Sequence, residues 1–181
     1  MFPRRIKICD AFGIPVYLDV SLIFLLLVFA TDGGPFMLSM ACALMLLVSI
    51  TAHEPGHALT ARLFGYGTRD ITLSLLGGCA SLIALPRKAW QELLTAIAGP
   101  LVSFAISGLA YLSLLFMPMD RWTAILLSYT VWMNLMLGAF NLLPGFPMDG
   151  GRVFRSLMRA FMSRTRATYI AMIVGRVVAV L

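Results

Sequence analysis

Long apolar runs separated by short polar breaks are the main pattern in this chain. Four runs cover about residues 20–30, 36–63, 93–117 and 122–143, and a final run occupies residues 170–181. A helix needs about 20 predominantly apolar residues to cross a hydrocarbon core of about 30 Å. The pattern therefore predicts a mostly α-helical, polytopic membrane protein with about five to six transmembrane helices or partial spans.

The pattern changes between the second and third runs. Residues 71–76 alternate apolar with hydroxyl side chains, and Gly77-Gly78 divides them from an apolar arm at residues 79–85. This alternation predicts a membrane-associated β-hairpin divided at the two glycines. Two placements stay open. The hairpin either dips into the membrane and accepts an extended peptide by strand addition, or packs on the bilayer surface as an amphipathic cytoplasmic hairpin.

Composition and charge agree with a membrane protein. Hydrophobic residues make up 60% of the chain and charged residues 12%, against about 45–50% and about 25% in soluble domains. The net charge is +6, but the basic residues lie between apolar runs, where they set topology, so no nucleic-acid partner is expected. With a cytoplasmic amino terminus, twelve of the fourteen basic residues fall on the cytoplasmic side, all except Arg121 and Arg176. The three cysteines fit no C-x-x-C pattern, so neither a disulfide framework nor a thiolate zinc site is indicated.

The second run contains the motif His53-Glu54-Pro55-Gly56-His57. On a helix the two histidines, which are the only ones in the chain, fall on one face and reach one metal ion, with Glu54 as the usual general base. Ionisable groups inside a membrane are costly and therefore indicate function. The alternative is that both histidines are only buried, hydrogen-bonded side chains. Pro55 removes a helical amide, at a cost of about 3 kcal/mol, which predicts a kink or a restart of the helix at the motif.

A catalytic zinc ion takes three protein ligands and leaves a fourth position for water. Asp149 follows a Pro/Gly-rich bend after the fourth run and is predicted as the third ligand, with a helix cap near Val153 as the alternative. Asp70 and Glu92 are interpreted as interfacial charges. Asn141 should lie near the same pocket, either hydrogen-bonding a substrate carbonyl or oxyanion or bonding a neighbouring helix.

Four sequence features together resemble the site-2 protease family of intramembrane zinc metalloproteases, and more narrowly its prokaryotic branch, whose members often carry CBS domains. They are the motif in an apolar helix, the hairpin, Ala98-Gly99-Pro100, which should interrupt the third helix early, and residues 140–144 followed by 146–152. The resemblance covers essentially the whole chain. It implies a Zn²⁺ cofactor held by His53, His57 and Asp149, Glu54 as general base, and Asn141 in the substrate site. It also implies that the hairpin holds the substrate in an extended form.

The same resemblance implies cleavage of a transmembrane segment of a membrane-bound substrate, commonly a regulator such as an anti-sigma or pro-sigma factor, in a prokaryotic plasma membrane. Residues 1–181 are expected to form an intramembrane metalloprotease domain truncated at its carboxyl-terminal end. One departure is Ser103, where many relatives have asparagine, so an amide contact there is lost or replaced by a hydroxyl. The alternative function is a membrane metal-binding or transport protein without proteolytic activity. Transport normally needs ligands at several depths, and no further histidine exists to supply them.

Overall fold

The computed structural model describes residues 5–31, 33, 35–74, 77–84, 86–145 and 147–180. Along these residues the elements are β1 (Arg5–Ala11), β2 (Ile14–Asp19), α1 (Leu22–Ala30), α2 (Phe36–Leu63), β3 (Thr68–Ser74), β4 (Gly77–Leu82), α3 (Ala89–Phe116), α4 (Arg121–Asn141), α5 (Asp149–Met158) and α6 (Arg164–Val180). Phe146 of the family-like motif, and Leu85 of the predicted hairpin, lie outside the described residues.

Three helices, α2, α3 and α4, are long and apolar enough to cross a membrane. They correspond to the second, third and fourth apolar runs, and the mostly helical fold class is confirmed. The first run forms α1, whose 9 residues extend only about 14 Å at 1.5 Å per residue. Among the described residues the membrane-length helices therefore number three, and the larger total of five to six full or partial spans stays a prediction.

Both prolines that were expected to disturb helices lie inside continuous ones. Helix α2 runs through Pro55 and α3 runs through Pro100. The predicted restart at the motif and the predicted interruption of the third helix are therefore wrong, whereas a bend at Pro55 stays a prediction. Close packing explains the continuity: a Cβ at Gly56 would lie 2.9 Å from the Ala98 carbonyl oxygen, so α3 supports α2 directly beside Pro55.

The strands form one sheet in the order β1-β2-β3-β4. The predicted hairpin is present as the antiparallel pair β3–β4, but its division at the glycines is wrong. Gly77 pairs with Ser74 and Gly78 pairs with Leu73, so both glycines belong to β4, and residues 75–76 lie outside the described part. The hairpin is also not isolated, because β2 pairs with β3 in parallel and β1 pairs with β2 antiparallel.

The sheet packs on the half of α2 that carries the histidine motif. The shared core contains residues from β2, α1, α2, β3 and β4, namely Ile14, Val16, Leu22, Ile50, Ala58, Ile71, Leu73 and Ala80. Burial of these side chains fixes the sheet against α2 at the level of the motif. As a consequence, β4 runs beside Glu54.

Candidate active site

Three predicted side chains converge between α2 and α5. His53 and His57 extend from one face of α2, and Asp149 is the first residue of α5. Asp149 Oδ2 lies 3.2 Å from His53 Nε2 and 3.0 Å from His57 Nε2, and the two Nε2 atoms are 3.2 Å apart. All three residues are buried. Their three ligand atoms lie within 4.8 Å of one another, an arrangement that could hold a metal ion.

The chemistry of this donor set fits a zinc ion. His57 Nδ1 donates a hydrogen bond to the Thr95 carbonyl, at 2.7 Å, so Nε2 of the neutral ring presents its lone pair toward His53 and Asp149. Two imidazole nitrogens and one carboxylate oxygen facing each other require a cation between them, or added protons. Zinc takes this ligand set in catalytic sites and leaves one position open.

Ser103 supports the second imidazole. It is fully buried on α3, and its Oγ lies 2.8 Å from His53 Nδ1. A hydrogen bond at Nδ1 leaves Nε2 free for a ligand and fixes the orientation of the ring. Sequence reasoning identified the departure at Ser103 but not its role as a partner of His53, because that role depends on how α2 and α3 pack.

Asp149 is held as an anion at the start of α5. Burial raises the pKa of Asp149, but the adjacent imidazoles of His53 and His57 outweigh burial and hold the pKa well below its ordinary value. The predicted cap of a helix near Val153 is replaced by a helix that begins at Asp149 itself, with Met148 as its N-cap. The carboxylate therefore points to the imidazoles rather than to the backbone of its own helix.

A cavity of about 260 Å³ lies beside the cluster. Glu54 borders it, and so do Asn141 of α4, Arg152 of α5 and three residues of β4, Gly78, Cys79 and Ala80. Asn141 thus lies in the predicted pocket, and its Nδ2 donates to the carbonyl of Leu137 in the same helix. The amide that bonds across helices is instead Asn134, whose Nδ2 donates to Ser49 Oγ of α2, at 2.9 Å.

Two glycines leave room for these groups. A Cβ at Gly78 would lie 2.3 Å from Glu54 Cγ, and a Cβ at Gly99 would lie 2.2 Å from His57 Nε2. Contacts below 3.0 Å are not tolerated by real Cβ atoms. Strand β4 and helix α3 therefore approach the motif as closely as they do only because these positions carry no side chain.

Helix α5 is anchored by a buried carboxylate that sequence reasoning assigned as an interfacial charge. Glu92, at the start of α3, is 3% exposed and receives hydrogen bonds from both Arg155 and Arg159. Arg155 Nε lies 2.8 Å from Glu92 Oε1. Ser156 also donates to the carbonyl of Ala89. These contacts fix the helix that carries Asp149, which the sequence did not indicate because the partners are more than 60 residues apart.

Comparisons with known proteins agree with this geometry. A model of peptidase family M50 matches residues 41–125 and 119–181. The Synechocystis protein sll0528 is 36% identical over 169 residues, covering 86% of this chain and 44% of its own length. Zinc metalloprotease MJ0392 of Methanocaldococcus jannaschii is 34% identical over 178 residues, covering 97% of this chain and 52% of its own length. The chain thus spans about half the length of these two relatives.

The fold is also similar to that of a solved relative. The structure of the site-2 protease from Methanocaldococcus jannaschii superposes with a TM-score of 0.77 and 32% sequence identity, covering 97% of this chain and 82% of that one. The resemblance found in the sequence is confirmed by this likeness and by the family match. The first matched segment contains His53 and His57, and the second contains Asp149. The chain belongs to peptidase family M50.

Proposed function

We propose that this chain is a zinc-dependent endopeptidase that hydrolyses a peptide bond in or near a transmembrane segment of a membrane-bound protein. The observation that carries the proposal is the meeting of His53, His57 and Asp149 in one buried cluster beside Glu54. Relatives that are named zinc metalloproteases support it. His53, His57 and Asp149 are the proposed metal ligands.

The proposed chemistry divides between the ion and the chain. Zn²⁺ bound by the three ligands would supply a Lewis acid that polarises the scissile carbonyl and acidifies water. Glu54 takes the proton from the attacking water and later donates it to the leaving amine. The carboxylate can do both because Gly78 leaves it space at the cavity wall. Asn141, which also lines the cavity, hydrogen-bonds the substrate.

The substrate is proposed to bind in an extended form along β4. This strand ends the sheet, so in the described part of the chain its outer edge has no strand neighbour. A transmembrane helix must unwind before its peptide bonds can reach a metal ion, and strand addition replaces the lost helical hydrogen bonds. The substrate class is membrane-bound regulators, such as anti-sigma or pro-sigma factors, which are cut in regulated intramembrane proteolysis.

We further propose the surroundings of this reaction. Residues 1–181 form the metalloprotease domain, embedded as a multi-pass protein in a prokaryotic plasma membrane with the amino terminus in the cytoplasm. Five to six full or partial spans are proposed, of which α2, α3 and α4 are the membrane-length helices. The distribution of basic residues supports this orientation.

Replacing Glu54 with glutamine tests the function. The Glu54→Gln protein should bind zinc with parental stoichiometry but lose cleavage of a co-reconstituted transmembrane substrate, because the amide cannot accept the proton of water. Cleavage at the parental rate would overturn the assignment. Metal transport is the competing activity, and the described residues contain no second cluster of metal-binding side chains. Zinc flux into vesicles without any proteolysis would replace the proposal with transport.

A further inference from the structure

Three consecutive residues of β4, the last strand of the sheet, border the cavity. They are Gly78, Cys79 and Ala80, and Ser74 of β3 lines the cavity as well. Side chains of successive strand residues point to opposite faces of a sheet, so the cavity reaches the backbone of β4 and not only the side chains of one face. In the described part of the chain the outer edge of β4 has no strand neighbour, and its backbone groups are available to pair with an added strand.

A strand added at this edge would have only one of its own edges paired. Its second edge would carry carbonyl and amide groups of alternate residues that point away from β4. Inside a cavity such groups need partners, because each buried, unpaired backbone group costs several kcal/mol. Polar side chains that line the same cavity can supply these partners.

Arg152 is the cavity-lining side chain with the most hydrogen-bond donors. It extends from α5, one turn after Asp149, and lines the cavity. Within the described part of the chain its guanidinium makes no ion pair within 4.0 Å and no hydrogen bond. An arginine carries five N–H donors and remains charged, so a cavity-lining guanidinium without a partner is poised to bind an acceptor.

Cys79 of β4 and Arg152 of α5 line the same cavity. Burial and the charge of Glu54 raise the pKa of the Cys79 thiol, while the charge of Arg152 lowers it. The charge of the guanidinium therefore acts on the same strand that would receive the substrate. Asn141 lines the cavity as well, and because its Nδ2 donates to the Leu137 carbonyl, its Oδ1 is left to accept a hydrogen bond.

We propose that Arg152 is a substrate-binding residue, which donates hydrogen bonds to backbone carbonyl oxygens on the substrate edge that faces away from β4. Asn141 Oδ1 accepts from a neighbouring amide of the same edge. This inference rests on the proposed function, since it needs an extended peptide at β4. It explains how a polypeptide that has lost its helical hydrogen bonds is held on both sides in the cavity.

Binding of hydroxamates to the zinc-loaded full chain tests the proposal without requiring turnover. Acetohydroxamate is a small metal-directed probe, whereas a tripeptidyl hydroxamate also extends a backbone along the cavity. Affinities are measured by titration calorimetry for the parent, Arg152→Met and Arg152→Lys. Arg166→Met is the matched control, because Arg166 is exposed on α6 and does not line the cavity.

The expected result is a selective loss. Arg152→Met should weaken binding of the peptidyl hydroxamate by roughly 10- to 100-fold, the range for losing hydrogen bonds from a charged donor. Arg152→Lys should recover part of this loss. In both Arg152 variants the affinity for acetohydroxamate and the zinc content should remain at parental values. The control Arg166→Met should bind both hydroxamates like the parent. This pattern separates substrate binding from a structural role of Arg152.

The ligand supplies a second, independent check. Peptide carbonyls of the ligand are replaced one at a time by methylene. Loss of the carbonyl that faces away from β4 should weaken binding to the parent. The same ligand change should have no further effect on binding to Arg152→Met, as expected for a coupled pair. Equal affinity of the parent and Arg152→Met for the peptidyl hydroxamate would overturn the inference and leave the proposed function standing. Failure of acetohydroxamate to bind the parent would overturn the proposed function, and the inference with it.

Discussion

At the scale of single residues, the absence of a side chain at Gly99 decides whether the ligands can meet. Replacing Gly99 by alanine would place a Cβ 2.2 Å from His57 Nε2 and 2.5 Å from His53 Nε2. Because α3 is packed closely against α2, the imidazoles rather than the helices should move. We expect Gly99→Ala to lose at least about tenfold in zinc affinity, the range seen when groups that orient ligands are removed.

The measurement is zinc competition with a chromophoric chelator, using purified protein in detergent. Gly108→Ala is the matched control, because Gly108 lies in the same helix and a Cβ there would meet nothing within 4 Å. That variant should bind zinc like the parent and gain slightly in stability from the better helix propensity of alanine. Parental zinc affinity in Gly99→Ala would contradict the close approach of α3.

Residue-scale chemistry was partly predictable. His53, Glu54 and His57 were found from spacing on one helix, and Asp149 from its position after a Pro/Gly-rich bend. Ser103 and Arg152 carry no comparable local signal. The role of a serine in an apolar helix, or of an arginine in a basic stretch, is set by the groups that packing brings next to it, here His53 and β4. Their place in the site therefore depends on packing rather than on spacing.

At the scale of elements, α5 depends on one buried carboxylate for its position. The Glu92 carboxylate of α3 forms ion pairs with both Arg155 and Arg159 of α5. Replacing Glu92 by glutamine should leave two guanidiniums without their counterion. We expect a loss of about 3–5 kcal/mol in the free energy of unfolding, as for other buried pairs broken from one side. Zinc affinity should fall as well, because α5 carries Asp149.

Unfolding is measured by denaturant titration in detergent, and zinc affinity by competition. Asp10→Asn is the control, because it removes an exposed ion pair with Lys7 on β1, which should change stability by less than about 1 kcal/mol. Parental stability and zinc affinity in Glu92→Gln would show that the Pro/Gly-rich bend alone positions Asp149.

Elements made of local contacts were predictable, whereas long-range pairings were not. The apolar runs identified α2, α3 and α4 within a few residues, since helical hydrogen bonds join neighbours in sequence. The hairpin was found, but Gly77 and Gly78 were taken as its turn, because a strand glycine that makes room for Glu54 looks the same as a turn glycine. The parallel pairing of β2 with β3 joins segments separated by two helices, and no local pattern reports it.

At the scale of the whole molecule, several elements place the basic residues at one end. The sheet lies where α1 begins and α2 ends, and the cluster around Glu92 lies where α3 begins. Most of the basic residues lie in the sheet, close in sequence to these helix ends, or in the cluster around Glu92. The positive-inside rule then predicts that this end, with the amino-terminal strand β1, faces the cytoplasm. The turn between α3 and α4 should face the opposite side.

Thiol labelling checks this orientation. Cys9 of β1 is exposed, Cys42 is buried in α2, and Cys79 is exposed. A Cys79→Ser protein in a bacterial inner membrane therefore reports on Cys9. A membrane-impermeant maleimide should label it in inverted vesicles and not in intact spheroplasts, because the charged reagent does not cross the bilayer.

The opposite side has its own reporter. Met117 is the C-cap residue after α3 and is 63% exposed, so Met117→Cys in a Cys9→Ser/Cys79→Ser background should label in spheroplasts and not in inverted vesicles. The background without this substitution measures residual labelling of Cys42. Labelling of Cys9 from the outside would invert the topology and place β1, and with it the sheet that borders the catalytic cavity, at the outer end of the spans. The proposed cut would then release the outer rather than the cytoplasmic part of a regulator, so this assay also decides which side of the membrane receives the product.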